Sequence, residues 1–414
     1  MPESLCLVRN RKRIAVFSRY QLAEQYDLAS EFKGMLACLA ERNDVLHISF
    51  RNTRLPAGGV PEGVELAEIP LTVDRRSASD IATKSLLMYF CLPLAAWRLR
   101  RFKPDAIFVS EILPLCGLFF KIFCNTRVAT AYGDWHVHNF LERKTWSRPL
   151  VKLAEALERM ELRCLDGFFC RAAAAGRRLI SCGAREEQIC VVNDSPDLSA
   201  FFPQDQRELR HRSGFADEDI VLLYHGVMHQ GKGLDRLLEW TADLYRENPR
   251  IGIFLVGAGA ELKALQDLSG RLGLGSRAFF TGWLKTVHEV GQFCNAADIC
   301  IAMRTGAESN VHIIPGALLH SMACRKAVVG PDLPGILEVI RDGENGFVFK
   351  ADDGASFKAL IRRLAADRAL RDKAAEQACQ DILNNFSTAA TAKKYAAALE
   401  HFAGLPRIKE RVRS

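Results

Sequence analysis

VLLYHGVMHQGKGLDRLLEW (221–240), IGIFLVGAGAELKAL (251–265), FTGWLKTVHEVGQFCNAADICIAM (280–303) and ESNVHIIPGALLHSMACRKAVVGPDLPGILEVIRDGENGFVF (308–349) follow one another in the second half of the chain. The first two each read as a buried strand that runs into a glycine turn and then into a helix. The later segments repeat that order. A helix that opens directly after a glycine turn presents unpaired backbone N–H groups and the positive end of its dipole, which suits a phosphate. One such turn carries little information, whereas four in succession define a phosphate-binding α/β domain.

Outward from this stretch, composition sets the frame. At 414 residues the chain exceeds one ordinary core, so two domains are expected. Nearly half of the residues (49%) are apolar, which allows a sizeable core in each and argues against disorder. A net charge of +7 permits an anionic partner, but no arginine-rich tail or aromatic–basic repeat points to nucleic acid. The 13 cysteines are scattered without C-x-x-C spacing, so they read as small buried hydrophobes rather than zinc or dithiol ligands. The N-terminus lacks a secretory h-region, and the apolar stretch Leu86–Trp97 is shorter than the roughly twenty residues a bilayer requires. A cytoplasmic location is expected, with the inner face of the membrane as a surface to touch.

Strands are expected at Arg13–Ser18, Val45–Phe50, Val64–Ile69, Pro104–Ser110, Arg127–Ala131 and Gly167–Cys170, with a helix over Leu22–Arg42. The alternation predicts a parallel, doubly wound sheet, whose ligands bind at the carboxyl ends of the strands. Ser18, Arg19 and Glu111 fall there, as does AYGDWHVHN (131–139). In that cluster Asp134 and His136, with His138 and Asn139, either face an acceptor or serve as a helix N-cap and surface histidines. Leu86–Lys103 and Ile112–Cys124 are apolar with basic residues. They read either as core helices or as segments lying on anionic headgroups.

The segment ICVVNDSPDLSAFFP (189–203), with Asn193, Asp197, Phe202 and Pro203, resembles the strand and linker that close the first domain of retaining glycosyltransferases of family 4, which have the GT-B fold. Gly226, Lys232 and Gly233 resemble that family's first turn, with Val227 where arginine is usual. Gly257, Gly259 and Glu261 resemble the second turn, and Gly282 and Asp298 the two after it. The resemblance implies two Rossmann-like doubly wound domains facing a cleft: 1–204 for the acceptor, 205–384 for the donor, and 385–414 a helix returning to the first domain with a basic tail. It implies transfer of a sugar, with retention and without a metal, from a UDP- or GDP-sugar substrate to a glycan or lipid-linked acceptor. Binding of the donor is then expected at Gly226, Lys232, Gly257, Gly259, Gly282, Trp283, Leu284, Glu308, Ser309, Asn310, His312, Ile313 and His320. Catalytic roles are expected for Lys232, His312, Asp134 and His136.

The resemblance places His312 and His320 where the family has two glutamates with seven residues between them. Arg325 and Ala327 replace the glycine and proline that follow. Glu308 precedes His312 by four residues and is not equivalent by counting. Neutral imidazole offers one donor and one acceptor, so His320 can hold a ribose hydroxyl, though not with two charged oxygens. Pro315 suits the first turn of a helix that would present His312 at its positive end. The ammonium of Lys232, with helix-end N–H groups, would stabilise the charge that grows on a departing diphosphate. Leu262 stands where a dinucleotide turn needs its third glycine, which argues against NAD. A non-catalytic partner of another glycosyltransferase and a sugar-nucleotide epimerase remain the alternatives.

Overall fold

The computed structural model describes residues 11–18, 27–50, 59–69, 71, 78–110, 115–132 and 148–404. Strands β1 (Arg13–Ser18), β2 (Asp44–Phe50), β3 (Val64–Ile69), β4 (Ala106–Ser110), β5 (Arg127–Tyr132), β6 (Gly167–Cys170) and β7 (Ile189–Val191) form one sheet in the order 3-2-1-4-5-6-7. Strands β8 (Ile220–His225), β9 (Ile251–Val256), β10 (Ala278–Gly282), β11 (Ile299–Ile301), β12 (Ala327–Pro331) and β13 (Phe347–Phe349) form a second in the order 10-9-8-11-12-13. Neighbouring strands in both sheets run parallel. Each order reverses beside its first strand, between β1 and β4 and between β8 and β11. Loops leaving the carboxyl ends there diverge and open a crevice.

Both faces of each sheet are covered, which explains inner strands that are buried nearly throughout, whereas edge strand β3 alternates. In β1, Ala15 and Phe17 enter a core with Leu92, Leu99 and Phe120, while Ile14 and Val16 enter the opposite one with Leu36 and Leu399. In β8, Val221 and Leu223 pack with Leu318 and Ile336, while Leu222 and Tyr224 pack with Leu237 and Phe357. Stacking successive strands through these alternations buries two cores per domain.

Helix bounds differ from the sequence expectation in places. Asp27–Ala40 replaces Leu22–Arg42, of which 22–26 lie outside the described residues. The helix expected from Leu86 runs over Ala78–Phe102 and continues through Pro93. Its buried residues Met88, Leu92, Ala95, Ala96 and Leu99 keep one face on the sheet across the proline. The final helix, Thr388–Gly404, returns to the first sheet. Lys12 Nζ donates to Glu400 O (2.8 Å), Arg127 to Phe402 O (2.9 Å), and Tyr395 stacks on Phe169 with ring centroids 5.7 Å apart.

Candidate active site

Three glycine turns meet at the carboxyl ends of β8, β9 and β10. Gly226 N donates to Val256 O (2.9 Å), Met228 N to Ala258 O (2.9 Å) and Gly257 N to Gly282 O (3.2 Å). Gly226, Gly257 and Gly282 have φ of 138°, 126° and 65°, a region that side chains with a Cβ rarely adopt. A Cβ at 257 would lie 2.2 Å from Gly226 O, and one at 259 would lie 2.1 Å from Met228 O. The glycines therefore let one turn of backbone rest directly on the next.

Lys232 ends a short 3-10 turn, Gln230–Lys232, and Gly233 (φ 69°) then opens helix Leu234–Glu247. That turn is tied to the loop after β11. Asn310, buried, donates through Nδ2 to Gly231 O (2.8 Å) and to Thr305 Oγ1 (2.9 Å), and Thr305 Oγ1 itself donates to Gly231 O (3.2 Å). Since β8 and β11 flank the reversal of strand order, this clamp places the lysine at the crevice. Arg304 reaches Asn310 Oδ1 (3.5 Å). Burial pushes the Tyr224 phenol up to about 12, and the opposing pull is the charge of Arg304. Tyr224 in turn donates to Val227 O (3.2 Å), so the charge of Arg304 acts beside the turn that carries Val227.

His320 belongs to helix Gly316–Ala323, which Pro315 precedes rather than begins. The expected loop from 308 instead forms a four-residue helix, Glu308–Val311, ending at half-buried His312. His320 lies flat against Phe201 of the interdomain linker, ring centroids 4.0 Å apart and planes within 6°, and 5.3 Å from His225 at the end of β8. This stack fixes the plane of the imidazole and joins the linker to the first glycine turn. Ile313 is held from behind: a Cβ at Gly335 would come within 2.4 Å of Ile313 O.

Several sequence candidates stand apart from this cluster. Trp283 is 63% exposed at the rim beyond β10, while Leu284 packs on the core. Asp298, singled out from the sequence, accepts from Val221 N (2.8 Å) and Arg210 (3.0 Å), so it anchors the start of β8. The side chains of Glu308 and Ser309, and all of Arg19, Glu111, Asp134, His136, His138 and Asn139, lie outside the described residues. At the corresponding crevice of the first sheet, Ser18 Oγ meets buried His47 Nε2 at 3.0 Å, and burial lowers that imidazole to about 4.

Phe201, His225, Thr305 and Glu338 were not among the sequence candidates. Glu338 follows the short helix Pro334–Leu337 and crosses to the first domain, where it accepts from Ala173 N (2.7 Å) and Ala174 N (2.5 Å) at the start of helix Ala173–Ser181.

Two parallel sheets of this kind define the GT-B fold. Anabaena Alr3699/HepE, solved in complex with UDP and glucose, superposes with a TM-score of 0.70 over 94% of this chain and all of its own, at 18% identity. Residues 205–381 match the family model of glycosyl transferases group 1. The putative glycosyltransferase EpsD of Bacillus subtilis is 32% identical over 196 residues, 47% of this chain and 49% of EpsD. The lipopolysaccharide core biosynthesis glycosyltransferase LpsE of Rhizobium meliloti is 27% identical over 230 residues, 56% of this chain and 63% of LpsE. The matched stretch thus spans about half of EpsD and somewhat more of LpsE.

Proposed function

We propose that this protein is a glycosyltransferase that moves a sugar from a nucleotide-diphosphate donor to a glycan or lipid-linked acceptor, with retention of configuration, in the synthesis of a cell-surface polysaccharide or glycoconjugate. The observation that carries this reading is the clamp of Asn310 and Thr305 on Gly231, which holds Lys232 beside the stacked glycine turns. As the bond between sugar and diphosphate breaks, negative charge collects on the leaving phosphate. A held ammonium, assisted by Arg304, stabilises that charge without reorganising during the step, and no metal is called for. His320, its plane set by Phe201, offers one ring nitrogen to a ribose hydroxyl, and His312 faces the sugar. The first domain takes the acceptor, for which Asp134 and His136 are the candidates that the sequence offers. Support comes from the match of 205–381 to glycosyl transferases group 1 and from the lipopolysaccharide role in the name of LpsE.

The histidines at 312 and 320 and Val227 favour one other reading, a non-catalytic relative that binds a glycan or an enzyme partner. The two are separated by a thermal-shift screen against UDP, GDP, dTDP, ADP and CMP with and without magnesium, followed by turnover of Lys232→Ala. The proposal expects one diphosphate to raise Tm independently of metal. It also expects Lys232→Ala to lose about two to three orders of magnitude in kcat with little change in Tm. No stabilisation by any nucleotide would replace it with the non-catalytic reading.

A further inference from the structure

Helix Ala78–Phe102 buries one face against the first sheet, yet its opposite face is also apolar. Leu87, Phe90, Leu94 and Trp97 recur at intervals of three and four and so share one stripe, with Phe90 75% and Trp97 49% exposed. The neighbouring helix, Cys116–Cys124, adds Ile122 (68% exposed) and Phe123. Cys124 Sγ lies 3.9 Å from Ala96 O, a contact flanked in sequence by Phe123 on one helix and Trp97 on the other, so the exposed groups adjoin. Single exposed apolar residues are ordinary, whereas a joined set marks a surface that meets a partner.

Charge decides which partner. Beyond the stripe stand Arg98, Arg100, Arg101 and Lys103, all exposed, and the sequence from Ser85 to Pro104 contains no Asp or Glu. The guanidinium groups of Arg98 and Arg101 lie 5.5 and 5.0 Å from the Trp97 ring centroid. A second copy docked face to face would bring cations with no acid of the same segment to answer them. An indole among arginines, beside aliphatic and phenyl groups, instead matches the boundary of a bilayer, where apolar groups enter the acyl region and cations meet phosphate. Among the described residues no helix is long and apolar enough to cross a membrane. We infer that this face docks the protein on the surface of an anionic phospholipid bilayer, with Phe90, Trp97, Ile122 and Phe123 at the headgroup boundary. The inference stands independently of sugar transfer, because its test uses neither donor nor acceptor.

The test is co-sedimentation of the full chain with vesicles of equimolar phosphatidylcholine and phosphatidylglycerol, against vesicles of phosphatidylcholine alone. Sedimentation with the mixed vesicles only, weakening with salt, is the expected result. The pair Phe90→Ser and Trp97→Ser should lower the partition coefficient at least about tenfold. Each of Arg98→Gln, Arg100→Gln and Arg101→Gln should lower it about fivefold at low salt. These positions are exposed, so Tm should be unchanged. Equal sedimentation of the serine variant, or none of the unaltered protein with either vesicle, overturns the inference. So does a concentration-dependent dimer that the serine pair abolishes without any vesicle binding, which would assign the stripe to a second copy. Should the serine variant fail to fold, the comparison of the two vesicles with unaltered protein still decides.

Discussion

At the scale of single residues, Asn310 does more than its place in the chain announces. Its buried amide joins Gly231 O and Thr305 Oγ1, so it positions Lys232 without needing to touch a substrate. Asn310→Ala removes one of the two donors to Gly231 O and the donor to Thr305 Oγ1, and should cost about 1–3 kcal/mol in denaturant unfolding. It should also lower kcat while Lys232 is intact; full stability and turnover would show that the clamp is dispensable. His47 provides a second test. Burial holds its imidazole at about 4, below the ordinary 6.5, so the unfolded chain takes up a proton first as pH falls. Its contribution is fully present above about pH 6.5, fades below that, and is gone by about pH 4, an acid loss of up to about 3 kcal/mol. Replacement by Phe should flatten the Tm profile across that window, even though it sacrifices the 3.0 Å bond to Ser18. Asn310 stood among the sequence candidates, but its partner is 79 residues away and no local pattern reveals it.

Elements explain why the glycine turns were legible. Their φ values and the contact of turn upon turn admit no Cβ, and that constraint is written directly as glycine. Two glycines in the same region separate this cause from mere helix punctuation. Gly259→Ala would drive a methyl to 2.1 Å from Met228 O and should cost about 1–3 kcal/mol while loosening the nucleotide site. Gly270, inside helix Leu262–Arg271, would meet nothing within 4 Å. Gly270→Ala should therefore stabilise by about 0.5–1 kcal/mol. Paired chemical melts of the two variants check both signs. The stack on His320 was less legible, because Phe201 and Phe202 are adjacent and alike in sequence. Burial distinguishes them: Phe201 is closed off against the histidine, while Phe202 is partly exposed.

For the whole molecule, Glu338 is the contact to perturb. Its carboxylate, carried by the second domain, caps a nine-residue helix of the first, where backbone N–H groups and the helix dipole both favour negative charge. The same short segment rests through Gly335 on Ile313 O, beside the loop of Asn310 and His312. One short segment thus touches both the first domain and that loop. Glu338→Gln should weaken the interdomain contact by about 1–2 kcal/mol. The expected sign is a larger radius of gyration in solution scattering at unchanged secondary structure; an unaltered radius would place the hold on the domains elsewhere, for instance in helix Thr388–Gly404.

Runs of five or six apolar residues ending at glycines and alternating with helical patterns suit parallel strands covered on both faces, so two doubly wound domains follow from local pattern. The need for glycine at 226, 257 and 282 follows in the same way, since a positive φ is a property of one residue. Tertiary structure alone decided that Asn310 reaches Gly231, that Phe201 flattens His320, that Arg304 stands near Val227 and that Glu338 caps a helix of the other domain. It also decided that a helix apolar on two faces leaves one stripe exposed among the described residues. Each of these depends on which groups meet after the chain has closed loops of many residues, and periodicity along the chain carries no record of that meeting.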